Sequence, residues 1–267
     1  MGEIDDDWPE LLPALAGEGV DTTVAVWDDP AVDWDAFDLV VIRSTWDYAG
    51  QRERFLAWTR SVPRLRNSAD VVAWNTDKTY LRELEAAGVP IVPTTWYAPG
   101  DAFTPPDHPF VVKPTVSAGA RDTAAYPAGA ASHAQQLLDA GRAVMVQPYV
   151  TAVETAGETS VLAFGGEVSH AARKSAILTP GAGVRNDIDS RAYVQPATAT
   201  DAELALVRQV LAAVPHELLY ARVDLLPGPV LIELEVTEPS LFLRHAPGSA
   251  QRFAQAIVRS AAAMTRS

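Results

Sequence analysis

Acidic residues stand where a buried strand would not be expected to carry them in residues 222–242, RVDLLPGPVLIELEVTEPSLF. Two apolar runs, 218–226 and 229–236, flank a Pro-Gly-Pro turn at 227–229, which predicts a β-hairpin with a short loop. Strand alternation puts Glu233, Glu235 and Thr237 on one face, and across the hairpin Asp224 can lie opposite them. Carboxylates gathered so closely raise one another's pKa unless a cation lies between them. Hard divalent cations take oxygen ligands, and Mg²⁺ in particular is held by one or two carboxylates plus nucleotide phosphates. Acids on an open, solvated edge strand would read the same way; the apolar company and the Glu-Pro-Ser that closes the run weigh against that reading.

Cations are the second signal. The 21 basic residues include only three lysines, Lys78, Lys113 and Lys174. In a chain so rich in alanine and arginine, a retained lysine raises the question of why arginine would not serve. A compact ammonium on a flexible stem suits a single phosphate oxygen where the flat guanidinium does not fit. Lys113 ends the apolar run FVVKP, 110–114. Unpaired in a buried strand it would cost on the order of several kcal/mol, so it should reach a polar cleft and an anion. The following VSAGARDT, 116–123, is small and flexible. It can fold over phosphates with its backbone N–H groups or serve as an ordinary hairpin loop, and it has neither the Walker pattern nor G-x-G-x-x-G.

A third segment, Arg43-Ser44-Thr45-Trp46-Asp47-Tyr48, follows an apolar strand at 37–42. One reading is a substrate-facing loop with Arg43 gripping an anion, Asp47 an amine and Ser44 beside them. The other packs Trp46 in the core and pairs Arg43 with Asp47.

These groups need elements to position them. Helices are expected at 8–19, 51–61, 71–74, from Asn75 to Gly88 with Thr76 as cap, and at 130–140, 202–214 and 249–264. Strands are expected at 21–27, 37–42, 89–96, 110–114, 143–147, 158–164 and 168–172, besides the hairpin. The opening alternation predicts a small open α/β sheet with ligands beyond the C-terminal ends of its strands. Such a fold usually begins with a strand and this chain begins with a helix, so the first strand is expected to be missing or the start to be placed late. Residues 175–198 carry glycine, proline and polar groups without periodicity and are expected to be a mobile, lid-like loop.

Composition narrows the classes. The chain has 267 residues, 48% hydrophobic and 21% charged, enough for one large or two to three small domains. No apolar run is long enough to span a bilayer and no leader opens the chain, so a cytoplasmic protein is expected. Zero cysteines exclude a disulfide framework, a thiol nucleophile and a Cys-type zinc site, and the five histidines are scattered. A net charge of −13 argues against general affinity for nucleic acid or an anionic membrane.

In this order the segments resemble the ATP-grasp superfamily from Asn67 onward. The resemblance implies an α/β (α+β) chain: a small Rossmann-like substrate domain over 1–66, then an ATP-grasp domain over 67–267 with lobes 67–145 and 146–267. It implies ATP and Mg²⁺ as cofactors. Lys78 in NTDK and Lys113 in VVKP resemble the phosphate-contacting lysines, and Ser117, Gly119 and Ala120 the small-residue loop over the phosphates. Gln147, Tyr149 and Val150 in QPYV resemble the hinge at the adenine, and Glu158 an acid beside the nucleotide. Asp224 and Glu235 resemble the metal ligands; Thr237 stands where the superfamily has Asn, which leaves the third ligand among Thr237, Glu233 and Glu238. WNTDKTYL, SHAARKS and ELEVTEPSLF are similar to the glutathione-synthetase-like branch, which includes a ligase forming D-cycloserine.

The implied activity is ATP-dependent ligation. A substrate carboxylate attacks the γ-phosphate and an amine then displaces phosphate from the acyl-phosphate. Arg173, Lys174 and Arg222 or Arg185 would hold the incoming carboxylate and the transferring group. The expected partner is a small amino-acid-like substrate, and acid and amine are free to belong to one molecule that cyclises. A homodimer is compatible with the sequence. An ATP-grasp phosphotransferase and a nucleotide binder without turnover are the alternatives.

Overall fold

The computed structural model describes residues 5–184, 186 and 193–264. Helix α1 (Trp8–Gly17) leads through an extended stretch to strand β1 (Val40–Val41), and helix α2 (Arg52–Ser61) returns the chain to β2 (Leu65–Arg66), parallel to β1. The core of this N-terminal unit is aromatic, with Trp27 edge-on to Phe55 at 5.2 Å and Tyr48 stacked on Phe55 at 5.1 Å. The expected strand at 21–27 pairs with nothing in the described residues. Its β-branched pattern is right for a strand, yet Val24 and Val26 are exposed.

Helix α3 (Ala69–Asn75) covers the short helix expected at 71–74, and α4 (Tyr80–Ala86) is what forms of the helix expected from Asn75 to Gly88. Asn75 ends the first of them and Thr76 is its C-cap. Between the helices, Asp77 Oδ1 accepts from Thr79 N at 3.0 Å, and Lys78 N donates to Thr115 O at 2.8 Å. From that turn the Lys78 side chain reaches the Ser117 carbonyl and Glu233. The strand expected over 89–96 is reduced to β3 (Thr95–Tyr97), because Pro90 and Pro93 cannot donate to a ladder.

Two larger sheets follow. Strands β4 (Phe110–Pro114), β5 (Ala124–Tyr126) and, beyond helix α5 (Ala134–Asp139), β6 (Val144–Pro148) form with β3 an antiparallel sheet ordered β3-β6-β4-β5. A short helix α6 (Val153–Ala156) precedes β7 (Glu158–Phe164) and β8 (Glu167–Lys174), which turn at Gly165-Gly166. Strand β9 (Val194–Ala197) closes what was expected to be an unstructured loop and pairs with β8. Helix α7 (Asp201–Ala213) begins in a capping box of Thr200 and Glu203. The hairpin β10 (Tyr220–Leu226) and β11 (Val230–Glu235) then completes a second antiparallel sheet, ordered β11-β10-β7-β8-β9, and α8 (Ser249–Met264) packs against it. None of the helices in the described residues is long and apolar enough to cross a membrane.

The second sheet explains where the site lies. One face carries Val161, Val223, Leu225 and Leu234 against Val207 and Val210 of α7 and Leu84 of α4. The other face is divided along its strands. Leu162, Phe164, Ala172 and Tyr220 pack on Phe253 and Ala254 of α8 and on α1. Further along the same strands the residues are Glu158, Lys174, Arg222, Asp224, Glu233 and Glu235, and the register places Glu158 opposite Lys174, Arg222 opposite Glu235 and Asp224 opposite Glu233. Directly opposed residues of an antiparallel pair share a face.

Candidate active site

That charged half-face forms one wall of a cavity of about 510 Å³ between the two larger sheets, with Trp46 and Tyr48 of the N-terminal unit also in its lining. Its carboxylates and cations are close-packed. Oxygens of Asp224, Glu233 and Glu235 lie within 4.8 Å of one another. Arg222 donates to both Asp224 oxygens, at 3.0 and 3.2 Å from Nε, and from Nη2 also to Glu235 Oε1. Lys174 Nζ lies 2.8 Å from Asp224 Oδ2 and also contacts Glu158. Lys78 Nζ meets Glu233 Oε1 at 3.1 Å and the Ser117 carbonyl at 2.9 Å.

Electrostatics follow from this packing. Burial alone would raise the Asp224 pKa, but Arg222 and then Lys174 outweigh it and hold the carboxyl well below the usual range. For Glu235 burial is the largest influence, and Glu233 and Asp224 add to it against Arg222, so its carboxyl is pushed up to about 7. Lys113 differs from the other two lysines: burial lowers its pKa, and among the described residues it has no ion pair or hydrogen bond. It projects into the cavity from β4 as an unmatched cation.

The donor set fits a hard divalent cation, since three carboxylates converge and hard ions prefer oxygen. Of the three candidates for the third ligand, Glu233 belongs to the converging set. Thr237 does not: it is buried, and its hydroxyl donates to Asn75 Oδ1 at 3.2 Å. Glu238 lines the cavity outside the set.

The opposite wall holds the remaining expected residues. Ser117, Gly119 and Ala120 lie in the β4–β5 loop, where Gly119 and Ala120 both adopt positive φ, 62 and 57°. Tyr149 and Val150 follow β6 into the lining, and Tyr149 Oη donates to Leu178 O at 3.1 Å. Gln147 is fixed by its amide: Nε2 donates to Thr94 Oγ1 at 3.0 Å, which leaves Oε1 buried without a partner on the cavity wall.

Four expected residues are not in the lining. Arg43 is spent on Asp5 (3.0 Å), Asp7 (2.9 Å) and the Pro239 carbonyl (2.7 Å), so it does not grip an anion in the cleft. Asp47 accepts from Trp27 Nε1 and Gln51 Nε2, and Ser44, with φ 51°, faces Asp5. Arg173 must face away because its neighbour Lys174 faces in, and it donates to Ala156 O at 2.6 Å. Arg185 lies outside the described residues.

Several participants escaped sequence reasoning. Along the outer edge of β11 the backbone of residues 90–92 pairs at Leu231 alone, through Leu231 N to Pro90 O (2.9 Å) and Val92 N to Leu231 O (3.0 Å), and side chains hold the rest. Asn75 Nδ2 donates to Leu234 O (2.7 Å) and its Oδ1 accepts from Val236 N (3.0 Å). Tyr80 Oη both donates to Leu234 O and accepts from Leu234 N. Asn67 Nδ2 donates to Val236 O at 2.7 Å. A buried asparagine in a helical pattern was the available signal, since such a residue needs partners.

A carboxylate cluster facing lysines in a cavity between two antiparallel sheets agrees with what comparison finds. Residues 1–67 match the family described as the D-cycloserine synthetase DcsG N-terminal domain. The chain is 38% identical to the cycloserine biosynthesis protein DcsG of Streptomyces lavendulae, over 95% of this chain and 93% of that protein. The crystal structure of D-cycloserine synthetase DcsG superposes with a TM-score of 0.88 at 36% identity, covering 97% of this chain and 95% of that one. D-alanine–D-alanine ligase from Bacillus anthracis complexed with ATP shares the fold alone, with a TM-score of 0.62 at 14% identity over 100% and 97% of the chains. The fold is thus that of the ATP-grasp ligases. Among these ligases the chain belongs to the family of D-cycloserine synthetase DcsG.

Proposed function

We propose that this protein is an ADP-forming carboxylate–amine ligase that activates a small amino-acid-like substrate as an acyl-phosphate and closes it on its own amine. The observation that carries this reading is the pairing of an unmatched, buried Lys113 with three converging carboxylates in one cavity. A triphosphate supplies the anion that Lys113 lacks. Lys78 and Lys113 then neutralise its charge from one wall, and the loop at Ser117, Gly119 and Ala120 covers it with backbone N–H groups. Gln147 Oε1, fixed as an acceptor, suits the exocyclic amine of adenine and repels the carbonyl of guanine. Asp224, Glu233 and Glu235 would hold Mg²⁺, which when bound supplies charge stabilisation between phosphates.

Lys174 and Arg222 stand next to these ligands and can hold the substrate carboxylate as it attacks the γ-phosphate. That attack forms a carboxylate–phosphorus bond and releases ADP. The amine then forms the amide and releases phosphate. The names of the relatives, a D-cycloserine synthetase and a cycloserine biosynthesis protein, support a cyclisation giving a cycloserine-like ring. Residues 1–66 complete the substrate side and 67–267 the nucleotide side.

Hydroxylamine tests the chemistry, because it intercepts an acyl-phosphate. With the right acid and Mg-ATP, a hydroxamate should appear together with ADP and phosphate. A phosphate ester that survives hydroxylamine while ADP accumulates in step would overturn the ligase reading in favour of a phosphotransferase. ATP binding with no ADP from any small amino acid or derivative would favour a binder without turnover.

A further inference from the structure

Buried charge in the cavity is almost fully matched. Glu158 and Asp224 face Lys174, Glu233 faces Lys78, and Glu235 faces Arg222. One carboxylate of the lining is the exception. Glu238 is 7% exposed, and among the described residues its carboxyl has neither an ion pair nor a hydrogen-bond donor, Lys78 and Arg222 acting on it only from a distance. It also stands outside the three carboxylates that converge as a metal set. Burial, and after it Glu235, pushes its carboxyl up to about 8, as befits an acid without a counter-ion.

Its backbone is held with unusual completeness. From 237 to 241 each carbonyl accepts from a different side chain: Tyr220 Oη to Thr237 O (2.8 Å), Trp46 Nε1 to Glu238 O (3.2 Å), Arg43 Nη1 to Pro239 O (2.7 Å), Arg222 Nη1 to Ser240 O (3.3 Å) and His170 Nε2 to Leu241 O (2.9 Å). Asp7 accepts from Leu241 N and Leu243 N at 2.6 and 2.8 Å. A carboxylate on a loop so pinned cannot swing to a cation elsewhere in the protein, so its partner must come to it. Beside it, Trp46, Tyr48 and Ser240 line the same end of the cavity, and Glu238 is the charge that acts most strongly on the buried Tyr48 hydroxyl.

We propose that Glu238 is the subsite for the α-ammonium group of the amino-acid-like substrate, a group separate from the amine that closes the ring, and that Arg43 and Asp7 are positioning residues that hold its loop. The inference rests on the ligase reading above. An ammonium donates charge-assisted hydrogen bonds to the one carboxylate that lacks them, and the aromatic rings of Trp46 and Tyr48 offer it further favourable surface. The cavity then holds one unmatched cation, Lys113, for the anionic nucleotide and one unmatched acid, Glu238, whose ionised form the cationic substrate would stabilise. Arg43 acts through the loop and not on the ligand.

Ligands that differ only in an amino group provide the test: D-alanine against propionate, and D-cycloserine against isoxazolidin-3-one, each titrated calorimetrically in the presence of Mg-ADP. The parent protein should prefer the amine of each pair by on the order of 10- to 100-fold. Glu238→Gln should erase the preference while leaving affinity for Mg-ADP unchanged; Glu238→Met, of similar length, takes its place if the glutamine variant does not fold. Arg43→Ala should reduce the preference, again without changing Mg-ADP affinity. A preference that persists in the Glu238 variant overturns the proposal. So does a parallel loss of Mg-ADP affinity, which would make Glu238 a metal ligand, or the absence of any amine preference in the parent. Discrimination of D-alanine without binding of either ring keeps the ammonium subsite and rejects the cycloserine-like product instead.

Discussion

Asn75→Leu removes a side chain that holds the outer edge of the acid-bearing strand at Leu234 and Val236, and its effect can be worked from the hydrogen bonds. Val236 N has only Asn75 Oδ1 as acceptor, and the Thr237 hydroxyl also donates to that oxygen. Leu234 O would keep one donor, because Tyr80 Oη remains 2.9 Å away. The substitution therefore leaves one buried N–H and one buried hydroxyl without partners, at about 1–3 kcal/mol for each such group. A net destabilisation of about 2–4 kcal/mol is expected, allowing for the apolar contacts leucine gains. For a chain of this size that lowers Tm by roughly 5–15 °C. Glu233 and Glu235 ride on the same strand, so Mg-ATP affinity should fall as well. Urea unfolding followed by tryptophan fluorescence gives the first quantity and titration with Mg-ATP the second. A loss below about 0.5 kcal/mol would refute the reasoning, because surface substitutions alone reach that size.

Two further outcomes are expected. Lys113→Met should leave the unliganded Tm unchanged or higher, since burial already disfavours the charged form, while most of the Tm rise produced by Mg-ATP disappears; an undiminished rise would make Lys113 structural. His170 is held neutral, with burial lowering its pKa to about 4 from an ordinary value of 6.5, so the unfolded chain binds more protons between those values. Its contribution is therefore present above pH 6.5 and lost as pH falls toward 4, by up to about 3 kcal/mol, and His170→Gln should flatten that part of the stability profile measured by urea unfolding at pH 5 and 7.5.

What could be read from the chain was what local pattern encodes. The hairpin 222–235 is legible because its period of two and its Pro-Gly-Pro turn lie side by side in sequence, and Lys113 because a lysine interrupts an apolar strand. Ion pairs between distant segments leave no such trace. Arg43 is a sound candidate for gripping an anion until Asp5 and Asp7 are seen to occupy it. Residues 21–27 show how propensity fails: DTTVAVW has the composition of a strand, but a strand needs a neighbour, and none pairs with it in the described residues. In sequence Asn75 stands at the opening of a helical pattern, whereas its side chain is committed to a strand more than 150 residues away, at separations of 159 and 161.

The pinned loop at 237–243 also has a consequence for how this protein comes into being. Its donors and acceptors reach back 192 residues to Trp46, 196 to Arg43 and 234 to Asp7. Contacts of such separation are the slowest to form, because the intervening chain must be closed before they repay its lost entropy. During synthesis the N-terminal unit and the segments bearing Lys78 and Lys113 emerge first, and the floor of the cavity is among the last segments to leave the ribosome. A nascent or C-terminally shortened chain thus exposes Lys113 and the apolar faces around it with no acidic hairpin to cover them. Competence arrives in one late event, when the end of the chain docks onto its beginning.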